Sequence, residues 1–201
     1  MRDQYINKLL EKHDSAWKGH GHLAMKIVSL FKPEVIVDLG VDYGFSTFCF
    51  AYEGIGKVYG IDWFKGDIHT GFRDTFDYVM GLYQELRDEF SIKNIEFIKS
   101  DFDEAAKSWN KKIDLLHIDG LHTYEAVKND YDTWIKFCDE ESIILFHDVE
   151  SFRYTVGRFF NESEGYKCIN FGSAGLGILT KSKKKYDEIC KLLQVEINSV
   201  F

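Results

Sequence analysis

Two apolar runs in this chain end in acid and imidazole. One reads Ile113-Asp114-Leu115-Leu116-His117-Ile118-Asp119-Gly120-Leu121-His122, the other Ile143-Ile144-Leu145-Phe146-His147-Asp148-Val149. Each run suits a buried parallel strand. Each stops at residues that a core rejects, since charged groups are almost never buried without a partner. If the two strands are neighbours, Asp119, His147 and Asp148 converge at one sheet edge with His122 beside them. That set describes a metal site with a general base next to it. Two carboxylates and one imidazole suit magnesium or manganese, and the imidazole favours manganese.

A third exit is Asp38-Leu39-Gly40-Val41-Asp42-Tyr43-Gly44-Phe45-Ser46-Thr47. Its two glycines bracket a strand-to-helix turn. Gly40 allows a ligand close to the backbone, and Ser46 is placed to cap the helix. A nicotinamide fingerprint would want glycine where Asp42 stands, which disfavours a dinucleotide. Asp38 points instead to a cationic or hydroxylated ligand portion. Asp62, at the end of another apolar run, can accept hydrogen bonds from a ribose diol. Three further groups are read as structural: His117 as a core or supporting residue, Tyr124 as helix packing, and Asp130 with Asp132 as a solvated helix face. The segment Trp17-Lys18-Gly19-His20-Gly21-His22 offers an aromatic and two histidines as a lid or acceptor contact. The stretch from Trp63 to Thr75 offers a second acceptor wall through Phe64, Lys65, Asp67, His69, Phe72 and Arg73.

The elements that must hold these groups alternate between the two periodicities. Helical patterns cover about Asp3 to Lys12, His22 to Phe31, Ser46 to Tyr52, Thr75 to Phe90, Phe102 to Trp109, Thr123 to Cys138 and Arg153 to Glu162. Strand patterns cover Val35 to Gly40, Lys57 to Asp62, Ile95 to Ile98, the runs ending at Asp119 and Asp148, Tyr166 to Phe171 and Leu176 to Thr180. The glycine-bearing link Gly172-Ser173-Ala174-Gly175 makes the last two an antiparallel hairpin. The expected fold is α/β: a Rossmann-like doubly wound sheet of seven strands, mostly parallel, with an antiparallel C-terminal hairpin and helices on both faces. Such sheets bind ligands at strand carboxyl ends, where Gly40, Asp62, Ser100-Asp101, Asp119 and His147-Asp148 all fall.

Composition narrows the classes. A chain of 201 residues with 45% apolar and 16% aromatic residues is globular, one domain in size. A net charge of −8 argues against a nucleic-acid partner. No apolar stretch approaches the roughly 18 to 20 residues of a membrane span. Cys49, Cys138, Cys168 and Cys190 are widely spaced and read as reduced core residues of an intracellular, cytoplasmic protein.

The chain resembles the class I S-adenosylmethionine-dependent methyltransferases. The Asp-Leu-Gly-x-x-x-Gly turn, Asp62 and Ser100-Asp101 resemble that class's cofactor motifs, in order. The segment from Ile118 to Val127, followed by Phe146-His147-Asp148-Val149 and the late Gly175-Leu176-Gly177, is similar to the metal-dependent O-methyltransferases of sugar and macrolide-glycoside hydroxyls. The resemblance covers about residues 20 to 180. It implies cofactor contacts from Asp38, Gly40, Tyr43, Gly44, Ser46, Asp62, Trp63, Asp101 and Phe102. It implies metal ligation by Asp119, His147 and Asp148, with His122 as general base and Trp17, His20 and His22 near the acceptor. The family also contains carboxylate-only metal sites, from which His147 departs. The expectation is a single methyltransferase domain over residues 1–201, with residues 1–33 a helical segment over the active site. It would move a methyl group from S-adenosylmethionine to a sugar hydroxyl of a vicinal diol, with magnesium or manganese. A catechol or phenol acceptor, or a cofactor-binding module without turnover, are the alternatives. Partners would be a small-molecule or glycan acceptor, a second copy in a homo-oligomer, or a larger glycan-building polypeptide.

Overall fold

In this computed structural model, which describes residues 1–199, most helices keep one exposed face, the helix Phe45–Ala51 is buried throughout, and the central strands are buried over their carboxyl-terminal halves. In chain order the elements are α1 (Arg2–Lys12), a short 3-10 turn, α2 (Gly21–Phe31), β1 (Val35–Leu39), α3 (Phe45–Ala51), β2 (Lys57–Asp62), β3 (Gly66–Asp67), β4 (Gly71–Phe72) and α4 (Phe76–Phe90). Then come β5 (Ile95–Lys99), α5 (Phe102–Ser108), β6 (Ile113–Ile118), α6 (Tyr124–Trp134), a second 3-10 turn, β7 (Cys138–Phe146), α7 (Val156–Glu162), β8 (Tyr166–Asn170), β9 (Leu176–Thr180) and α8 (Lys183–Ser199). The main sheet has seven strands in the order β5-β2-β1-β6-β7-β9-β8. Its central pairings are parallel, and β9 opposes both β7 and β8.

Alternation along the strands fills both faces of this sheet. Ile36, Leu115, Ile143 and Leu145 pack with Tyr5, Leu23, Ile27, Phe48 and Val79 on one side. Val37, Leu116, Ile144 and Phe146 pack with Ala105, Val127, Trp134 and Phe159 on the other. The helices therefore lie on both faces, as the periodicities require. No helix among the described residues is long and apolar enough to cross a membrane.

Four local features differ from the sequence reading. The helix expected to reach Cys138 ends at Trp134, because Cys138 pairs beside Ile113 and belongs to the sheet. The helix expected from Arg153 starts at Val156, because turns fill the preceding residues and the Thr155 hydroxyl donates to the His122 carbonyl at 2.7 Å. Asp130 is buried and only Asp132 lies on the solvated face, where it pairs with Lys128. The small antiparallel hairpin of β3 and β4, inside the expected acceptor wall, was not marked by any apolar alternation.

Candidate active site

The carboxyl ends of β1, β2, β6 and β7 deliver their next residues side by side. The ladder runs on past the strands: Gly40 N–H donates to the Ile61 carbonyl at 3.0 Å, Asp119 N–H to Leu39 at 2.8 Å and His147 N–H to Ile118 at 3.2 Å. These exits floor a cavity of about 660 Å³ that also takes in residues 13–17 and the β3–β4 hairpin.

The turn after β1 is fixed by sequence. Gly40 has φ +99° and Gly44 φ +90°. At Gly40 a side chain would overlap the Asp119 carbonyl oxygen, so two strand exits touch backbone to backbone. Asp62 binds this turn from the neighbouring strand. Its Oδ2 accepts the Val41 and Asp42 N–H groups, both at 2.9 Å, and its Oδ1 accepts Phe64 N–H at 2.6 Å. Burial nonetheless leaves the Asp62 carboxyl above its ordinary value. A carboxylate has about four acceptor positions, so Asp62 keeps room for one more donor in the cavity. Asp101 caps α5 by accepting Glu104 N–H at 2.8 Å through Oδ1, and with Phe102, Tyr43 and the half-exposed Trp63 it lines the same end of the cavity.

Two expected cofactor contacts hydrogen-bond to each other, and of the two only Ser46 lines the cavity. Asp38 is fully buried and off the cavity wall. Its carboxylate accepts from the hydroxyls of Ser46 and Thr47 and from His117 Nδ1–H at 2.6 Å. Register sets this up, since Asp38 pairs with His117 across β1 and β6. Ser46 therefore does not cap α3; Gly44 stands at that position without a side-chain cap.

At the other end lie Asp119, His122, His147 and Asp148. His122 Nε2 is 2.9 Å from Asp148 Oδ2 and 3.5 Å from Asp119 Oδ1. His147 Nδ1 is 3.0 Å from Asp148 Oδ2 and 3.4 Å from Asp119 Oδ2. Asp148 has φ +63°, in the left-handed region that aspartate tolerates better than most non-glycine residues. Burial alone would raise the Asp119 carboxyl, but the imidazoles of His147, His122 and His117 outweigh it and hold Asp119 well below the usual carboxylate range. Burial opposes charge on His122 and His147 too; the two carboxylates win and lift them to about 9 and about 10.

The donor set fits a divalent cation. Asp119, His122 and Asp148 each offer a ligand atom, and all three atoms lie within 4.8 Å of one another. The imidazole completing this trio is His122, the residue assigned from sequence as base, whereas the sequence trio has His147. His147 is held from behind: its Nε2–H donates to the Ser173 carbonyl at 3.1 Å, which leaves Nδ1 facing the carboxylates. An imidazole anchored through its far nitrogen in this way is the usual support of a metal-ligating histidine. The carbonyl is presented by the run Gly172, Ser173, Ala174 and Gly175, all with positive φ.

The N-terminal residues divide. Trp17 is buried and lines the cavity. His20 is buried behind it, donating from Nε2 to the same Ser173 carbonyl at 3.0 Å and accepting from Asn170 at Nδ1. Burial, with His147 adjacent, depresses His20 to about 4. His22 meets Asp3 at 2.7 Å and is not part of the cavity wall. Phe152 and the Ser173 loop were missed from sequence. Phe152 stacks on His122 with ring centroids 4.3 Å apart. The paired glycines 172 and 175 carried the loop's signal.

Residues 37–149 match the family described as methyltransferase domain. The chain belongs to that family. The methyltransferase core so defined spans β1 to the exit of β7, which contains every strand end named above. A protein of Sinorhizobium fredii described as uncharacterized protein y4gI is 35% identical over 144 residues, 68% of this chain. The match takes up 15% of that relative's length. Among solved structures, the O-methyltransferase TomG of Streptomyces achromogenes, in complex with SAM, has a TM-score of 0.64 at 13% identity, covering 88% of this chain and 89% of its own. The SAH-bound methyltransferase PaMTH1 of Podospora anserina has a TM-score of 0.63 at 12% identity, over 86% of this chain and 81% of its own. At such identities the likeness is one of fold, and it includes the seven-stranded sheet.

Proposed function

We propose that this methyltransferase domain is a cation-dependent O-methyltransferase that takes the methyl group of S-adenosylmethionine to a sugar hydroxyl of a vicinal diol. One observation carries the reading: the glycine turn with Asp62 and Asp101, and the Asp119–His122–His147–Asp148 cluster, open into one cavity. The SAM- and SAH-bound states of the similar TomG and PaMTH1 support the choice of donor.

Bound there, the donor would supply an electrophilic methyl group and a divalent cation would lower the pKa of a hydroxyl held next to it. The chain's own residues do the rest. Gly40 and Gly44 keep the turn free of side chains where the donor approaches. Asp62 would offer its remaining acceptor position to a ribose hydroxyl, and Asp101, whose Oδ1 caps α5, would offer Oδ2 to an exocyclic amine. Asp119 and Asp148 would hold the cation, with His147 Nδ1 alongside. Asp119 and Asp148 by themselves keep His122 protonated; with a cation drawing on both carboxylates, its ring would be free to take the hydroxyl proton at Nε2, a role that suits an imidazole. Trp17 and residues 13–16 wall the cavity from the N-terminal side, which supports reading residues 1–33 as its cover within a single domain over residues 1–201. The match to a short part of a longer relative supports its use as a module in larger polypeptides.

The deciding experiment is methyl transfer to a panel of sugars and catechols with magnesium or manganese, repeated with chelator. Transfer to sugars that stops on chelation is expected. Transfer to catechols alone would replace the acceptor class, and activity indifferent to chelation would remove the cation.

A further inference from the structure

The Asp119–Asp148 cluster is reached from above by a hairpin that belongs to no part of the main sheet. Its strands β3 and β4 are two residues each, and its tip is built by one side chain. Asp67 Oδ1 accepts the N–H groups of His69 and Thr70, both at 2.7 Å, and the Thr70 hydroxyl at 3.1 Å. Gly66 (φ +65°) and Gly71 (φ +84°) close the turn. This geometry puts His69 at the tip. Its Nδ1 lies 3.3 Å from Nδ1 of His122, and the two rings are nearly parallel, 18° apart with centroids at 5.3 Å. Phe152 lies against both rings.

A histidine ring has two orientations about its Cβ–Cγ bond. In the observed one, His122 Nε2 meets Asp148. Turned over, it would present a carbon to Asp148 and another carbon to His69. Two Nδ1 atoms in contact require that one donates and the other accepts, so His69 holds the orientation that keeps Nε2 on the carboxylates. The hairpin is itself tied down at its root. Arg73 Nη2 meets Asp42 Oδ1 at 2.6 Å, and the guanidinium lies over the Tyr43 ring. The same short element thus runs from the turn after β1 to the imidazole of His122.

We propose that His69 is a positioning residue for His122, seating its imidazole with Nε2 toward the carboxylates. The inference rests on the reading of His122 as the proton acceptor. His69→Ala is expected to lower kcat by about 10- to 100-fold, the scale set by a misplaced catalytic group, while KM for the methyl donor stays put. His69→Asn, which retains a polar atom at the Nδ1 position, is expected to recover part of the loss. In the unloaded protein labelled with ¹⁵N-histidine, the His122 Nδ1 resonance, assigned by its disappearance in His122→Ala, is expected to shift in His69→Ala. An unshifted His122 resonance overturns the proposal whatever the turnover. So does a loss confined to the acceptor's KM, which would make His69 a substrate contact. The reading beneath it fails separately, if His122→Ala itself turns over at the wild-type rate.

Discussion

Replacing Asp130 by asparagine should stabilise the protein, and more so the higher the pH. Asp130 sits on α6 with its side chain buried, and a Cβ at Gly120 would lie 2.8 Å from its Oδ2. Burial, reinforced by the nearby Asp103 carboxylate, raises its pKa from 3.8 to about 7. Between those two values the folded protein holds a proton that the unfolded chain has lost. Stability therefore falls as pH rises through that window, by about 1.4 kcal/mol per pH unit once the unfolded chain is ionised. The whole window corresponds to roughly 4 kcal/mol, of which about 2 to 3 kcal/mol is lost between pH 5 and pH 8. Asparagine has nearly the same shape and does not ionise. Urea denaturation of both proteins at pH 5 and pH 8 should show the advantage of Asp130→Asn widening by that amount. A constant steric effect cancels in this double difference. An advantage equal at both pH values would refute the reasoning.

Gly40→Ala should destabilise by several kcal/mol, since it combines a left-handed backbone penalty of about 1–2 kcal/mol with overpacking of about 1–3 kcal/mol against the Asp119 carbonyl; denaturant midpoints measure it. Asp38→Ala should lose about 3–5 kcal/mol by stranding His117 in the core, and a calorimetric melt near the wild type would contradict the buried network. His122→Ala should lower turnover about 10²- to 10⁴-fold with donor affinity unchanged by calorimetry. Asp119→Ala should abolish manganese binding, read by titration calorimetry, while donor binding survives.

The sheet and its exits were legible because each central strand is an apolar run that stops abruptly at polar residues. Asp119 and Asp148 could be placed at one edge from that alone. The fate of Asp38 could not: its partners Ser46, Thr47 and His117 depend on a register across β1 and β6 that a single strand does not display. Asp130 was misplaced because its helix is amphipathic on average, and one acid on the inner face leaves the pattern intact. The β3–β4 hairpin left little trace because its strands are too short for alternation and its turn is built by Asp67 and Thr70, residues equally at home in any loop. His20 and His22 are two residues apart on the chain yet face opposite ways, one into the core and one to Asp3.

The backbone contact between Gly40 and Asp119 bears on how this domain can diversify. The donor turn and the acid-bearing strand end share a wall with no side chain in it, so neither can drift without moving the other. They must be inherited as one piece. The β3–β4 hairpin and the 172–175 loop reach the cavity from outside the parallel strands, and change there leaves that wall intact. New acceptors should therefore be acquired through those two segments, while the chemistry beneath them stays fixed.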